Sequence, residues 1–288
     1  MSSPPPPPST PPQPTTRPLG NTGATVLPIS LGGEGILRTH GRSRQAVPVI
    51  LEALRLGVRY CDTAPAYQDS QDYYGEAFRA AGKGSRETVT LASKCHERTR
   101  DQALRLLDDS LKRLCTDHLD IWQMHDLREM NELDILTGKH GALAAAQEAK
   151  ADGRIRFIGL TGHHDPRVLL EAMDRFPFDT VLVAINPADS RYHPFVPTVV
   201  ADARKRGMGV VGMKALAAGR LLDVAQAPEL IRYTATFADT VVVGCSSVEE
   251  VRANLAVATD FSPMSESERR HLETRVAARA RAYDYFKG

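Results

Sequence analysis

Short apolar runs alternate with longer amphipathic stretches along most of this chain. Eight runs rich in β-forming residues lie at 26–32, 58–62, 88–94, 119–125, 155–161, 180–186, 209–214 and 240–244. Between them, apolar residues recur every three or four positions at 46–57, 101–114, 142–150, 165–176 and 248–258. The first pattern predicts buried strands, and the second predicts helices with one face in a core.

Strands that alternate with helices predict a parallel sheet covered by helices. With eight strands, we expect an α/β fold whose sheet closes into a (β/α)8 TIM barrel, and an open, doubly wound sheet is the alternative. Gly57, Gly153 and Gly207 each follow a helix and precede a strand, where a positive φ is often needed. A final helix is predicted over 265–283, because Ser265 and Glu268 have the spacing of a capping box.

The first 16 residues differ in composition from the rest of the chain. They contain eight of the 19 prolines and no aromatic or branched aliphatic residue, so they cannot bury enough surface to become ordered. We expect residues 1–16 to form a disordered or polyproline tail and 17–288 to form one barrel domain. The PxxP spacing also allows docking of the tail to a protein partner of the SH3 kind.

Charge and cysteine content narrow the class of protein. The 36 basic residues nearly balance the 35 acidic ones, so a formal net charge of +1 gives no reason to expect a nucleic acid or an anionic membrane as partner. No apolar run approaches the ~20 residues that span a bilayer, and the N-terminus does not resemble a signal peptide. We expect a soluble, cytoplasmic protein with reduced thiols, because no pair spacing links Cys61, Cys95, Cys115 and Cys245.

Four chemically capable side chains follow the second, third and fourth apolar runs, at Asp62, Tyr67, Lys94 and His125. In a barrel, these strand ends meet at the mouth that carries the chemistry. A carbonyl that receives a hydride becomes an alkoxide, and a tyrosine hydroxyl can protonate it. We expect Lys94 to lower the pKa of that tyrosine, Asp62 to hold Lys94, and His125 to orient the substrate oxygen.

These residues also carry a resemblance to the aldo-keto reductases. DTAPAY at 62–67 resembles the family's Asp-Thr-Ala-x-x-Tyr pattern, and similarity continues through Gly75-Glu76, Ser93-Lys94, 117–125, 153–162 and 244–254. The segment 17–26 resembles the family's N-terminal hairpin, which closes the barrel bottom. The resemblance implies an NAD(P)-dependent oxidoreductase that interconverts a carbonyl and an alcohol of a small-molecule substrate, with Tyr67 as general acid.

The resemblance further implies a nicotinamide cofactor, NADP(H) or NAD(H), extended across the barrel mouth. The segment 244–254 would hold the adenosine phosphate at the amides of a helix N-terminus. An ordinary turn with Ser247 as helix cap is the other interpretation of that segment. The cofactor-binding residues that the resemblance implies are Thr161, Asn186, Met213, Lys214, Gly219, Gly244, Cys245, Ser246, Glu250 and Asn254.

Several family positions carry different residues here. The usual Ser-Asn pair, glutamine and aromatic residue that hold the nicotinamide are replaced by Thr161 and Gly162, Leu182 and Met213. Glu250 stands near the place where NADPH-preferring members often have an arginine, so we expect only a modest preference for NADPH, with Arg252 or Lys214 as alternative phosphate ligands. The rival interpretation is a barrel that binds nucleotide as a sensor or regulatory subunit with little turnover.

Two adjacent histidines, His163 and His164, are expected at the same barrel mouth. Histidine clusters occur in metal-dependent barrel hydrolases, so a catalytic metal is an alternative. Lys94 and Tyr67 have no place in such a ligand set, and Asp165-Pro166 indicates a helix start that the histidines precede. The sequence therefore predicts no catalytic metal.

Overall fold

Eight parallel strands close into a barrel in the computed structural model of the protein, which describes residues 15–283 and residue 287. Two short antiparallel strands precede them. The strands are β1 (Arg17–Pro18), β2 (Thr25–Val26), β3 (Ile29–Gly35), β4 (Tyr60–Asp62), β5 (Thr90–Cys95), β6 (Leu119–Met124), β7 (Ile155–Gly162), β8 (Thr180–Ala184), β9 (Gly209–Met213) and β10 (Thr240–Cys245).

The barrel strands follow one another in chain order, from β3 to β10, and β10 pairs with β3 to close the ring. This closure confirms the predicted TIM barrel and excludes the open, doubly wound sheet. The first apolar run, 26–32, is displaced, because the barrel strand is Ile29–Gly35 and Val26 belongs to β2. The other seven strands lie where the apolar runs predict them.

Helices fill the connections and cover the outside of the barrel. They are α1 (Ser43–Arg55), α2 (Ser70–Ala81), α3 (Arg100–Leu114), α4 (Met130–Thr137), α5 (Ala142–Ala151), α6 (Pro166–Arg175), α7 (Ala201–Lys205), α8 (Ala227–Phe237), α9 (Val248–Ala256), α10 (Glu266–Val276) and α11 (Ala280–Tyr283). Helix α2 was not among the predicted stretches. It buries Tyr73, Tyr74, Ala77 and Phe78 at helical spacing, and these aromatic residues are more typical of strands.

Local signals at the helix ends have the expected conformations. Gly57, Gly153 and Gly207 all have positive φ, at 82°, 78° and 71°. Ser265 caps α10, and the side chain of Glu268 accepts a hydrogen bond from the Ser265 amide, as the capping box predicts. The final helix is interrupted, however, because a 3₁₀ turn at 277–279 separates α10 from α11.

The hairpin of β1 and β2 closes the bottom of the barrel, as the resemblance implied. Leu19, in its turn, is fully buried and packs against the inner face of the strands. Gly20 has a φ of +49°, and a Cβ there would lie 2.2 Å from the amide nitrogen of Gly209. The close approach of the hairpin to β9 therefore requires glycine at this position.

The period of two along each strand determines what fills the barrel. Tyr60, Ala92, Ile121 and Val211 point inward and form one apolar cluster with Leu19. Because alternate residues of a strand share a face, the next inward positions in β4 and β5 are Asp62 and Lys94. The barrel interior thus changes from apolar at the bottom to polar at the C-terminal mouth.

Three further expectations concern the surface, the thiols and the tail. None of the helices in the described part of the chain is long and apolar enough to cross a membrane. All four cysteines are free, and three of them, Cys61, Cys95 and Cys245, are buried. Residues 1–14 of the proline-rich tail lie outside the described residues, so its disorder and its docking role stay predictions.

Candidate active site

A cavity of about 900 Å³ opens at the C-terminal ends of the barrel strands. Its size lies within the range of small-molecule and cofactor sites, ~300–1,000 Å³. All four predicted catalytic residues line it, namely Asp62, Tyr67, Lys94 and His125. The structure therefore brings these four residues together at one site, and their catalytic roles stay predictions.

Lys94 and Asp62 form a buried ion pair at the base of the cavity. The ammonium Nζ donates to Asp62 Oδ2 at 2.6 Å and to the carbonyl oxygen of Thr63 at 2.9 Å. Burial lowers the pKa of Lys94 and raises the pKa of Asp62, while each charge opposes the shift of the other. Asp62 Oδ1 is buried without a hydrogen-bond partner, so the pair retains an unused acceptor.

Tyr67 lies above this pair. Lys94 Nζ is 4.8 Å from the centroid of the Tyr67 ring, and the rings of Tyr67 and His125 meet edge to face with centroids 6.0 Å apart. Burial raises the pKa of Tyr67 well above its usual value, and the carboxylates of Asp62 and Glu34 raise it further. The expected lowering of that pKa is therefore wrong for this structure, because burial of the ring and the two nearby carboxylates outweigh any effect of Lys94.

The environment of His125 favours the neutral form of its ring. Burial, together with the charge of Lys94, lowers the pKa of His125 well below its usual value. The backbone around it is held by Arg98, whose guanidinium donates to the carbonyl oxygen of His125 at 2.9 Å and to that of Asp126 at 3.2 Å. Arg98 thus positions the loop that follows β6.

Sequence reasoning missed a glycine that determines where Tyr67 sits. A Cβ on Gly33 would lie 2.6 Å from Cδ2 of Tyr67 and 2.9 Å from the carbonyl oxygen of Asp62. The tyrosine ring therefore packs directly against the backbone of β3. The Gly32-Gly33 pair in the first barrel strand was the available signal, since glycine within a strand often marks a close approach.

Charged residues at the cavity walls were also missed, because nothing in their local sequence marks them. They come from β3, from the loops after β3, β5 and β6, and from the first turn of α4, namely Glu34, Arg38, His96, Arg98, Arg128 and Glu132. Arg38 pairs with Glu34 at 2.7 Å and lies 5.2 Å from the Tyr67 ring centroid. The cavity therefore offers hydrogen-bond donors and acceptors as well as apolar surface.

Six of the ten predicted cofactor-binding residues line the cavity, namely Thr161, Met213, Lys214, Gly219, Gly244 and Ser246. Leu182 lines it too. The loop after β9 is unusual, because Lys214, Ala217 and Ala218 have left-handed φ values of 58°, 45° and 54°. Such conformations are strained for non-glycine residues and concentrate at functional sites.

The other four predicted cofactor residues, Asn186, Cys245, Glu250 and Asn254, are not among the described residues that line the cavity. The side-chain amide of Asn186 donates to the Lys214 carbonyl oxygen at 3.3 Å and accepts from the amides of Ala188 and Asp189. Asn254 Nδ2 donates to Cys245 Sγ at 3.4 Å, which joins α9 to β10. These three residues, Asn186, Cys245 and Asn254, have structural bonds in place of an open cofactor surface.

Glu250 occupies the helix terminus that was expected to bind phosphate. Its Oε2 accepts a hydrogen bond from the Ser246 amide at 2.7 Å, and its own amide donates to Ser247 Oγ at 3.2 Å. The interpretation of Ser247 as helix cap is thus confirmed. Of the two alternative phosphate ligands, Arg252 is paired with Glu52 of α1 at 2.7 Å, whereas Lys214 lines the cavity.

The histidine pair lies at the cavity rim, beside the loop that carries His125. His163 Nε2 is 3.1 Å and His164 Nε2 is 3.6 Å from Oδ1 of Asp126, the residue that follows His125. Among the described residues, these three form a cluster with metal-ligand spacing. The carboxylate in this cluster is Asp126, and Asp62, which sequence reasoning placed near the histidines, is bound to Lys94.

Comparisons with known proteins agree with this architecture. L-galactose dehydrogenase of Arabidopsis thaliana is 27% identical over 293 aligned positions, which cover 86% of this chain and 89% of that protein. The fold matches an aldo-keto reductase from Bacillus halodurans in its holo form, with a TM-score of 0.73 and 22% identity over 91% of this chain and 96% of that one. It also matches a Klebsiella pneumoniae aldo-keto reductase in complex with NADPH, with a TM-score of 0.70 and 22% identity over 88% and 93%.

A sequence model of the aldo/keto reductase family matches residues 28–229, which include β3 to β9 and the four predicted catalytic residues. The match spans more than half of the chain and the whole of the cavity wall from Gly32 to Gly219. The chain therefore belongs to the aldo/keto reductase family.

Proposed function

We propose that this protein is a nicotinamide-dependent oxidoreductase that interconverts a carbonyl group and an alcohol on a small molecule. The observation that carries the proposal is the arrangement of Tyr67, with the buried Lys94–Asp62 pair beneath it and His125 beside it, at the base of a large cavity. In this arrangement Tyr67 can supply a proton and His125 a neutral hydrogen-bond donor to the same substrate oxygen.

In the proposed reaction Tyr67 acts as the general acid. Its raised pKa keeps the phenol protonated at neutral pH, which is the form that can donate to a developing alkoxide. Neutral His125 orients the carbonyl oxygen by a hydrogen bond from its ring. Lys94 supplies a positive charge beneath Tyr67 that stabilises the phenolate left after proton transfer, and Asp62 holds the ammonium in place.

The residues present fit a nicotinamide dinucleotide. The cavity reaches from Thr161 and Met213 to Gly244 and Ser246. It therefore connects the region of the four proposed catalytic residues with the C-terminal end of β10. A Cβ on Gly244 would lie 2.7 Å from the Cβ of Glu34, so the backbone there leaves no room for a side chain. A bound nicotinamide supplies or accepts the hydride. Between NADP(H) and NAD(H), Glu250 at the Ser246 amide supports a modest NADPH preference only.

The substrate class is proposed to be polyhydroxylated. The cavity is lined by four polar, hydrogen-bonding side chains, those of Arg38, His96, Arg98 and Arg128. Such side chains bind a substrate that carries hydroxyl groups better than they bind a purely aromatic or aliphatic one. One of the relatives reported above is named as a dehydrogenase of L-galactose. A panel that pairs aldoses and sugar lactols with benzaldehyde and simple ketones tests this, and a preference for the apolar compounds contradicts it.

Substitution of Tyr67 tests the mechanism. We expect Tyr67→Phe to lower kcat by at least ~10²-fold, the usual range for a positioned general acid, with little change in cofactor affinity. Tyr74→Phe is the matched control, because Tyr74 is fully buried and lies outside the set of residues that line the cavity. Unaltered turnover in Tyr67→Phe rules out the proposed acid.

A nucleotide-binding barrel that acts as a sensor or regulatory subunit is the second candidate. It is favoured by the apolar Leu182 at the cavity and by Asn186, whose amide is committed to the backbone. Titration of the protein with NADPH and NADH, followed by the substrate panel, separates the two functions. Saturable cofactor binding without turnover on any compound of the panel supports the sensor and contradicts the enzyme.

A further inference from the structure

Three possible metal ligands converge at the rim of the cavity, outside the Tyr67–Lys94 arrangement. Asp126 follows β6, and His163 and His164 follow β7, so parallel neighbouring strands bring the two loops together. One ligand atom from each residue, Asp126 Oδ1, His163 Nε2 and His164 Nε2, lies within 4.8 Å of the other two. All three side chains are partly buried, between 16% and 21% exposed.

We propose that Asp126, His163 and His164 form a binding site for one divalent transition-metal ion, with Zn²⁺ as the reference ion. Two imidazoles and one carboxylate are a ligand set that suits zinc and other first-row metals, and that calcium and magnesium disfavour. None of its ligands belongs to the group formed by Asp62, Tyr67, Lys94 and His125, although Asp126 and His163 line the same cavity.

The distances between the ligand atoms agree with a shared ion. Zinc bonds to nitrogen and oxygen are ~2.0–2.2 Å long, so two ligand atoms of a tetrahedral ion lie roughly 3.3 Å apart. The distances from Asp126 Oδ1 to the histidine nitrogens are 3.1 Å and 3.6 Å. The two histidine nitrogens lie within 4.8 Å of each other, so this third pair would have to move closer if its distance is near that bound, and the other two distances already suit one ion.

The polar atoms at this point are also short of partners. Asp126 Oδ1 and His164 Nε2 are both buried without a well-formed hydrogen bond, although His163 Nε2 lies 3.1 Å from that oxygen, and such a deficit is costly for polar groups unless something else satisfies them. A metal ion would satisfy both atoms at once. This deficit is a second observation, separate from the ligand spacing, that points to a ligand.

Neighbouring groups fix the carboxylate and leave the ligand oxygen available. Arg128 donates from Nε and Nη2 to Asp126 Oδ2, at 2.9 Å and 2.6 Å, which orients Oδ1 toward the histidines. The Asp126 amide donates to Thr161 Oγ1 at 2.8 Å and holds the residue at a φ of 52°. Hydrogen bonds of this kind commonly orient metal ligands.

The positive charge of Arg128 opposes a cation, and two facts limit that effect. Its guanidinium contacts the far oxygen of Asp126, and its side chain is 54% exposed, so solvent screens the repulsion. With three protein ligands, a tetrahedral ion keeps one position for water or for a small molecule in the cavity that Asp126 and His163 line.

The test uses the full-length protein, freed of metal with a chelator and then titrated with Zn²⁺ by calorimetry in the absence of cofactor. We expect one ion per chain at this site, with affinity lowered at least tenfold in His164→Gln and in His163→Gln. His118→Gln is the matched control, because His118 also contacts an aspartate, Asp117 at 2.7 Å, but lies outside any three-ligand cluster of the described residues. The control should bind as the unaltered protein does.

Cobalt adds a readout of coordination. Co²⁺ bound by these three ligands should give visible d–d absorption that His164→Gln weakens and His118→Gln preserves. Melting curves verify that each variant is folded, and His163→Gln replaces His164→Gln if the latter is not. Absence of saturable Zn²⁺ binding overturns the proposal. Equal Zn²⁺ affinity in all variants also overturns it, and would assign the binding to scattered surface histidines.

Discussion

Replacement of Glu250 should change which nicotinamide dinucleotide the protein prefers. The Glu250 carboxylate holds the Ser246 amide at 2.7 Å, at the N-terminus of α9 and at the edge of the cavity. It therefore occupies, with its own negative charge, a backbone donor that a phosphate would otherwise use. We expect Glu250→Arg to raise the preference for NADPH over NADH, and Glu250→Ala to raise it less.

The magnitude follows from two contributions. Repulsion between an exposed carboxylate and a phosphate about 6 Å away is roughly 1 kcal/mol before salt screening, and the substitution removes it. A guanidinium that binds the 2′-phosphate adds charge-assisted hydrogen bonds worth ~1.5–3 kcal/mol, less the entropy of ordering an exposed side chain. The net expectation for Glu250→Arg is ~1–3 kcal/mol, or roughly 5- to 150-fold in the affinity ratio.

The assay is the ratio of the dissociation constants for NADPH and NADH, measured by calorimetry at one ionic strength and repeated at high salt. Glu249→Arg is the control, because Glu249 is exposed in the same first turn of α9, and the Ser246 amide donates its hydrogen bond to Glu250 and not to Glu249. Loss of the Glu250 carboxylate should also lower stability slightly, by ~0.5–1 kcal/mol. A strong native NADPH preference that Glu250→Arg leaves unchanged refutes the reasoning and assigns phosphate recognition to another group, such as Lys214.

Three other predictions follow from burial and close packing. Gly33→Ala should lower kcat by ~10²-fold, because the new Cβ would lie 2.6 Å from Tyr67 and displace the ring. The control Gly138→Ala, whose Cβ would meet backbone oxygens at 3.3 Å, should not lower kcat, and equal kinetics in both variants would show that the ring adapts. The rate of carbonyl reduction should stay level from about pH 6 to about pH 9. The pKa of His125 is lowered and that of Tyr67 is raised, so neither group changes protonation in this window. An inflection near the ordinary histidine pKa that His125→Gln removes would contradict this prediction. One thiol per native chain should react rapidly with a thiol reagent, and Cys115→Ser should abolish that reaction, because Cys115 is exposed and the other three cysteines are buried. Burial also raises the pKa of Cys61 and Cys95 to about 12 and that of Cys245 to about 11, which keeps these thiols protonated.

The barrel was predictable from the chain alone because its signals are local. Alternating apolar runs and amphipathic stretches predict strands and helices in order, and glycines and capping residues mark the ends. The positions of Asp62, Lys94 and His125 at strand ends were sufficient to predict their convergence, since all strands of a closed parallel barrel end at one mouth. Val26 shows the limit, because an apolar residue has the same local pattern in a hairpin as in the first barrel strand.

The electrostatic state of the site depended on tertiary structure. Residue types suggested that Lys94 would lower the pKa of Tyr67, but burial of the ring and the carboxylates of Asp62 and Glu34 raise it. Asn186 and Asn254 match cofactor positions in sequence, yet their amides bond to the protein itself.

Contacts between residues distant in sequence cannot be read from composition or spacing. The packing of Tyr67 on Gly33 and the approach of Asp126 to His163 both join separate strands of the closed sheet. Local propensity determined which elements form in this protein. The closure of the barrel determined which side chains are brought together, which are removed from water, and therefore which charges they carry.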